Sequence, residues 1–451
     1  MRISNKNMLF YLIFFFSVLV LSFIFSNFVF PINTFDEIWN YGFCYNIYKG
    51  LIPYRDFSMI PTPLYSFVGS IFIKIFGEYL FSLHIFNAIL ISIIMVMLYK
   101  MIGIKCLFLY PLFLFVNFPT YNFLCLFLIF FIMYLIYYKK DTEILLGLVI
   151  GVMFLTKQNI GIVMVIPLLF YSKKKLKSIC SFFVPLLVLV IYLIWNNALY
   201  EFIDYCFLGF FDFNNNNVLI NLWTYLWGVE IICIIFLLYK SKFKCKELFY
   251  ILFFQVMSYP IFDITHWFLG FIPFFCYIFR NFDYRKLGNK LEFLRIVFCV
   301  SIILTVIYFL FSYLLIPYNI KFDRSNYFYL RNVGGIGYES LSFEENIVNK
   351  YLNEYEEKYF IIYDSYRLKL YMNIDINKYD LLLDGNMGYK GSLGYIKEIE
   401  YNCSYRNCVF FVNAPNFELD DCQFSEDIYN FVIMNYNKID SNDYFDVYSN
   451  G

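Results

Sequence analysis

Residues 144–171 read ILLGLVIGVMFLTKQNIGIVMVIPLLFY, an apolar run broken in its middle by Thr156-Lys157-Gln158-Asn159. As one helix through a bilayer, the run would carry Lys157 to mid-membrane. It would also put the basic groups at Lys139 and Lys140 opposite those at Lys173 and Lys174. As two short helices it makes a hairpin with Lys157 at its turn. The choice sets the direction of every later segment.

The 451-residue chain is 61% hydrophobic and 24% aromatic, with 35 basic and 35 acidic side chains. Soluble domains carry charge on about a quarter of their residues, whereas repeated apolar runs of roughly twenty residues mark a polytopic α-helical membrane protein. A zero net charge argues against nucleic acid as the main partner, since no basic excess exists to neutralise phosphates. The first apolar run, 8–30, is too long for a signal-peptide core and no small-x-small site follows it, so it reads as an uncleaved first span.

Cytoplasmic loops are enriched in lysine and arginine. The basic clusters are Arg2 and Lys6; Lys100 and Lys105; Lys139 and Lys140; Lys173 to Lys177; Lys240 to Lys246; and Arg280 to Lys290. All become cytoplasmic if an even number of crossings separates each from the next. Two hairpins achieve this. One is 144–171; the other is 248–279, broken by SYPIFDITHW (Ser258 to Trp267). Each half-hairpin of about 12–15 residues spans roughly 18–22 Å, so the tips lie below the outer surface in a water-filled cavity of the protein. The expected spans number about eleven: 8–30, 80–99, 104–118, 121–138, 144–155, 159–171, 178–198, 218–239, 247–260, 265–279 and 291–316. The protein is expected in the cell membrane, with a cytoplasmic N-terminus and the tail outside. Residues 64–76 read as an interfacial helix.

Two domains are expected: a transmembrane domain over 1–316, with its first outer loop at 31–79, and a small extracytoplasmic α/β domain over 317–451. In the latter, Glu344 to Lys358, Gly394 to Tyr401 and Glu426 to Tyr436 are helix-like. Tyr359 to Tyr363, Tyr379 to Leu383 and Cys408 to Asn413 are strand-like. The glycine sets VGGIGYE (333–339) and DGNMGYKG (384–391) lack the spacing of phosphate loops and read as turns. Cys403 and Cys408 could pair in an oxidising compartment, but with Cys422 the outer domain has three cysteines, an odd count that leaves the pairing open. The absence of a CxxC pair or HExxH leaves zinc without sequence support.

This topology gathers the ionisable groups that interrupt apolar sequence at the outer face: Asp36, Glu37, Arg55, Asp56, Lys157, Asp263, His84 and His266. Such one-sidedness suits chemistry on a membrane-embedded substrate, whereas a two-sided transporter carries charge near its span centres. Thr34-Phe35-Asp36-Glu37 also reads as a capping box, which gives Glu37 a competing structural role. Asp56 is a ready partner for Arg55. Asp263 and His266, at i and i+3, share a helix face and fit phosphate, acceptor or a divalent cation; a hydrogen-bonded interfacial histidine is the structural alternative.

The order of the acidic pair Asp36-Glu37, KGLIPYRDF (49–57), PTPLY (61–65), Phe76-Gly77 and SLHIFNA (82–88) resembles the first outer loop of GT-C glycosyltransferases. Among these are protein O-mannosyltransferases and the bacterial aminoarabinose and galacturonosyl transferases. FLTKQNIG (154–161) resembles their outward lysine turn, and DITHWFLGFIPF (263–274) a later outer motif. His84 stands where the family carries a basic residue, commonly Arg. The resemblance implies inverting transfer of a sugar from a polyprenyl-phosphate donor to a hydroxyl of a glycan, lipid or protein at the outer leaflet. Asp36 would be the base, Glu37 its neighbour in the catalytic pair, and Lys157, Arg55, Asp263, His266 and His84 would bind substrate. The resemblance fixes no cofactor, and a divalent cation is compatible. A flippase of lipid-linked sugars is the alternative.

The lysine parity predicts that, on a cysteine-free background, an impermeant thiol reagent labels Asn215→Cys from outside and leaves Phe243→Cys unlabelled. Labelling of position 243 alone would invert every assignment above.

Overall fold

The computed structural model describes residues 5–28, 35–138, 142–209, 222–259, 262–281, 327–330, 335–338, 358–362, 388, 391–413, 426–441 and 445–450. Its helices are α1 Asn5–Phe28, α2 Phe35–Tyr48, α3 Leu64–Phe76, α4 Phe81–Ile102, α5 Tyr110–Phe115 and α6 Tyr121–Tyr138. They continue with α7 Glu143–Thr156, α8 Gln158–Val163, α9 Val165–Tyr171, α10 Lys175–Trp195, α11 Leu199–Ile203 and α12 Leu222–Lys240. The last are α13 Lys246–Phe254, α14 Ile264–Arg280, α15 Gly391–Cys403 and α16 Glu426–Asn435. The strands are β1 Tyr327–Leu330, β2 Gly335–Tyr338, β3 Lys358–Ile362, β4 Cys408–Asn413, β5 Asn437–Ser441 and β6 Phe445–Ser449. The expected span at 291–316 lies outside the described residues.

Contacts divide the chain into two compact units, one of Met1–Asn33, Phe81–Val188 and Val218–Arg324, the other of Thr34–Leu80, Leu189–Asn217 and Ser325–Gly451. Among the described residues, five helical stretches are long and apolar enough to cross a membrane: Met8–Asn27, Phe81–Phe115, Tyr121–Tyr138, Lys175–Trp195 and Leu222–Lys240.

In the first unit, α1 and α4 run antiparallel. His84 meets Asn27 near one end, and Lys100 lies over the Tyr11 ring at 5.2 Å near the other. At Gly103, which takes φ +67°, the chain turns back through a 3-10 segment. Asn87 then reaches Asn117 at 2.7 Å, a separation a continuous helix would stretch to about 45 Å. The expected break between 99 and 104 is therefore present.

Both expected hairpins form. Lys157 is extended (φ −152°, ψ 108°) between α7 and α8. A Cβ on Gly161 would collide with the Phe154 backbone, so the chain reverses at the lysine and leaves no room for a side chain. At the open end, the Glu143 carboxylate accepts from the backbone N–H groups of Lys173 and Lys174 at 2.8 and 2.9 Å. In the second hairpin, Gln255 Nε2 donates to the Gly270 carbonyl at 3.0 Å across the tip. Arg280 grips Glu247 with two hydrogen bonds, 2.7 and 2.5 Å, at the open end.

Described residues in or beside several basic clusters share one end of this unit. Tyr138 donates to the Lys100 carbonyl, and Arg280 stacks over Tyr137 at 5.0 Å. Tyr171 donates to the Phe243 carbonyl at 2.6 Å, and Lys246 lies over the Tyr171 ring.

In the second unit, α2 opens with Asp36 and Glu37 in its first turn; Thr34, the proposed cap, lies outside the described residues. Residues 53–61 pack on α11 and the π-turn that follows it: Tyr54 lies edge-on to Phe202, and its hydroxyl donates to the Pro61 carbonyl at 2.9 Å. Gly388 sits at φ +74° against Asp204 and Tyr205, where any Cβ would clash. The C-terminal sheet has the order β3-β4-β6-β5, with β3 and β4 parallel and the other pairs antiparallel. Tyr395 and Ile399 of α15, and Ile428 and Val432 of α16, build its core with Cys408, Phe410 and Val412. Cys403 and Cys408 form a disulfide with Cα atoms 5.6 Å apart.

Sequence reading anticipated β3, β4, α15 and α16. Of the proposed helix 344–358 only Lys358 is described, and it opens strand β3 instead; the proposed strand 379–383 lies outside the described residues. Gly335 to Tyr338, expected as a turn, is instead a strand paired with β1, because glycine does not bar extended backbone when a partner strand supplies hydrogen bonds.

Gly161→Ala is expected to force the α7–α8 hairpin open, at about 1–3 kcal/mol, and to lower the melting temperature of the detergent-solubilised protein. Gly228→Ala, with open space around its Cα, should be neutral or slightly stabilising because alanine favours helix. Equal effects at the two positions would refute the close approach.

Candidate functional site

Three segments of the first unit converge: the tip of the α7–α8 hairpin, the first turn of α6 and the start of α14. Lys157 Nζ donates to Asn122 Oδ1 at 3.0 Å and lies 5.5 Å from the centre of the Tyr121 ring. Asn122 Nδ2 is 3.3 Å from His266 Nε2, and His266 Nδ1 is 2.8 Å from Asp263 Oδ2. Asn122 and His266 are buried, while Lys157 and Asp263 are partly exposed.

Local sequence explains the second tip. Asp263 is the N-cap of α14, extended at φ −101° and ψ 174°, and its Oδ1 accepts the His266 backbone N–H at 2.7 Å. The same three-residue spacing leaves Oδ2 for the His266 ring. Ser258 Oγ donates to the His266 carbonyl at 3.2 Å and ties the tip to the segment after α13. Desolvation acts to raise the Asp263 pKa. The adjacent imidazole and the hydrogen bonds from His266 and Thr265 outweigh it, holding the carboxyl below the ordinary aspartate range.

Both ring nitrogens of His266 thus have partners within the chain. Among the described residues no group of three or more His, Cys, Asp or Glu side chains is placed to hold a metal.

The other predicted residues are placed separately. His84 is buried, with Nδ1 2.7 Å from Asn27 Oδ1. In the second unit, Asp36 is partly buried and its carbonyl accepts from Asn40 Nδ2 at 2.6 Å, while Glu37 is only 4% exposed. Arg55 is exposed and donates to both oxygens of Asp56 at 2.8 and 2.9 Å, and Asp56 also accepts the Ile52 N–H. Asp56 is therefore the guanidinium's partner.

Sequence reasoning missed Asn122 and Glu230. Asn122 was legible only as a polar residue opening an apolar helix, with nothing to name its partners. Glu230 carried a clearer signal, a lone acid inside the 19-residue apolar helix α12. It is 4% exposed and lies beside Gln255 and Trp267, whose side chains are within hydrogen-bonding reach of its carboxylate. Glu230 departs from the expected one-sided placement of ionisable groups.

No protein-family model matches this chain, and no curated protein matches its sequence. Solved structures do match. ArnT from Cupriavidus metallidurans bound to undecaprenyl phosphate superposes with a TM-score of 0.58 at 11% identity, over 100% of this chain and 99% of that one. The same protein in its apo state gives 0.58 at 12% identity, over 99% of both chains. The likeness is one of fold, end to end.

Because the Asp263 carboxyl is held below its unfolded value of about 3.9, its ionised form stabilises the fold above that pH. The contribution is lost as pH falls through the lower folded value. Asp263→Asn is therefore expected to lower the melting temperature at pH 7 and to flatten its decline below about pH 4. Parallel melting curves for mutant and wild type across that range would refute the assignment.

Proposed function

We propose that this chain is a membrane glycosyltransferase of the GT-C type. It inverts configuration while moving a sugar from a polyprenyl-phosphate donor to a hydroxyl of a cell-envelope glycan, lipid or protein at the outer face of the membrane. The carrying observation is the end-to-end fold likeness to ArnT, a GT-C glycosyltransferase, one crystal of which holds undecaprenyl phosphate. The independent resemblance of the first loop and the lysine turn supports the same reading.

The chemistry follows from the residues. An acceptor hydroxyl needs a base, and Asp36, partly buried at the start of α2, supplies a carboxylate. The departing lipid phosphate gains negative charge in the transition state. Lys157, held by Asn122 at a hairpin turn, offers a cation prepositioned for it. Arg55 shares its charge with Asp56, which leaves Lys157 as the principal phosphate group. The burial of Glu37 favours a supporting role beside Asp36. Asp263 and His266 hold the second tip in place, and His84 joins α4 to α1. A divalent cation is compatible with this reading.

Orientation rests on two supports. The shared basic end suits the cytoplasmic side, and the Cys403–Cys408 disulfide suits an oxidising exterior for the tail. A flippase of lipid-linked sugars is the second reading. Glu230 favours it, because a buried acid at a span centre is a common transporter feature.

Membranes containing the protein are to be supplied with radiolabelled polyprenyl-phosphate sugars, and transfer to endogenous acceptors measured. Asp36→Asn should reduce transfer by roughly 10² to 10⁴ and Lys157→Met by roughly 10² to 10³, with Lys157→Arg retaining more. Movement of label across the bilayer without transfer would establish the flippase instead. Wild-type turnover in Asp36→Asn would remove that residue from the chemistry.

A further inference from the structure

The hydrogen bonds at the Lys157 tip have a fixed direction. A lysine ammonium only donates, so the Asn122 atom facing it is the amide oxygen. The Asn122 NH₂ therefore faces His266, and Nε2 of that ring must be an unprotonated acceptor. The proton of the neutral ring then sits on Nδ1, where it is donated to Asp263 Oδ2. Each assignment forces the next.

We propose that Asn122 is a positioning residue that makes the protonation state of His266 and the position of Lys157 a single two-state element. This rests on the reading of Lys157 as the phosphate-binding cation. A proton taken from solvent onto Nε2 turns that nitrogen into a donor facing the Asn122 donor. The amide relieves the conflict by turning about its Cβ–Cγ bond, so that its oxygen accepts from the imidazolium. Its NH₂ group then faces the ammonium, where two donors meet, and Lys157 is released toward a phosphate oxygen. The neutral state holds Lys157 on Asn122; the protonated state holds His266 between Asp263 and Asn122 and frees the lysine. Of the other groups nearby, Ser258 engages the His266 carbonyl, and Glu230 of α12 lies beside Trp267 and Gln255.

The protein has two histidines, so His84→Gln leaves His266 as the single ring in a nitrogen-15 histidine spectrum. Comparison of wild type with His266→Gln assigns the same signals if His84→Gln does not fold. At mildly alkaline pH the His266 ring is expected as the Nδ1–H neutral tautomer. Asn122→Asp, which can only accept, should leave both nitrogens protonated at that pH. Lys157→Met should shift the His266 ring-nitrogen signals when Asn122 is present, and by less than half as much on an Asn122→Leu background. A ring protonated at Nε2 alone, ring nitrogens unchanged by Asn122→Asp, or equal Lys157→Met shifts in both backgrounds would overturn the proposal. A purely packing role for Asn122 would alter stability and leave the tautomer untouched. No sugar donor is needed for these measurements, so their outcome is separate from that of the transfer assay.

Discussion

The hydrogen bond from Lys157 to Asn122 is the contact on which the first unit depends. The turn of the α7–α8 hairpin holds an ammonium that is only partly exposed. A charge there is tolerated only when it is paired or solvated. Asn122 supplies an oxygen at 3.0 Å and the Tyr121 ring an electron-rich face. The same amide then engages His266, so satisfying one hairpin tip also anchors the other.

The opposite ends of the hairpins are closed by acids of a different kind. Glu143 accepts two backbone N–H groups, and Glu247 accepts both arms of Arg280. The Glu247–Arg280 pair is mostly buried, and losing either partner would strand a charge. Each hairpin is therefore pinned at its base by a carboxylate and at its tip by the polar relay. Small residues provide the close approach between, with Gly147 and Gly151 of α7 against the backbone of α10. A rigid base and a polar tip are what a site for charge stabilisation requires, because donors fixed in advance need no reorganisation during reaction.

The second unit obeys a separate logic. The first loop is ordered by its own polar contacts, such as Glu78 receiving Lys49 and Tyr45 at about 3 Å, and by the buried hydroxyl of Tyr54. Burial acts to raise the Glu78 carboxyl, but hydrogen bonds from Lys49, Tyr48 and Tyr45 hold it below its ordinary value. Gly388 shows why the tail matters to this unit: only glycine fits the positive φ and the contact with Asp204. Residues 34–80 and the tail thus pack within one unit, a grouping that linear composition, with its shift after Pro317, did not suggest.

Much was legible in the sequence because membranes impose simple rules. Apolar length marked the spans, lysine parity demanded two hairpins, and Lys157 and the Asp263–His266 spacing announced their tips. Strands β5 and β6 were not legible, since a segment such as NKIDS has no alternation and its pairing is set by partners elsewhere in the chain. Nor was Asn122. Its amide becomes meaningful only because folding brings residues 35 and 144 positions away to its two sides. The sequence by itself determined which segments are apolar enough to cross a membrane, where the two hairpins turn and which charges sit at the turns, because hydrophobicity and charge are local properties. Only the tertiary structure decided which of those charges meet, because hydrogen-bond direction depends on neighbours that no local pattern records.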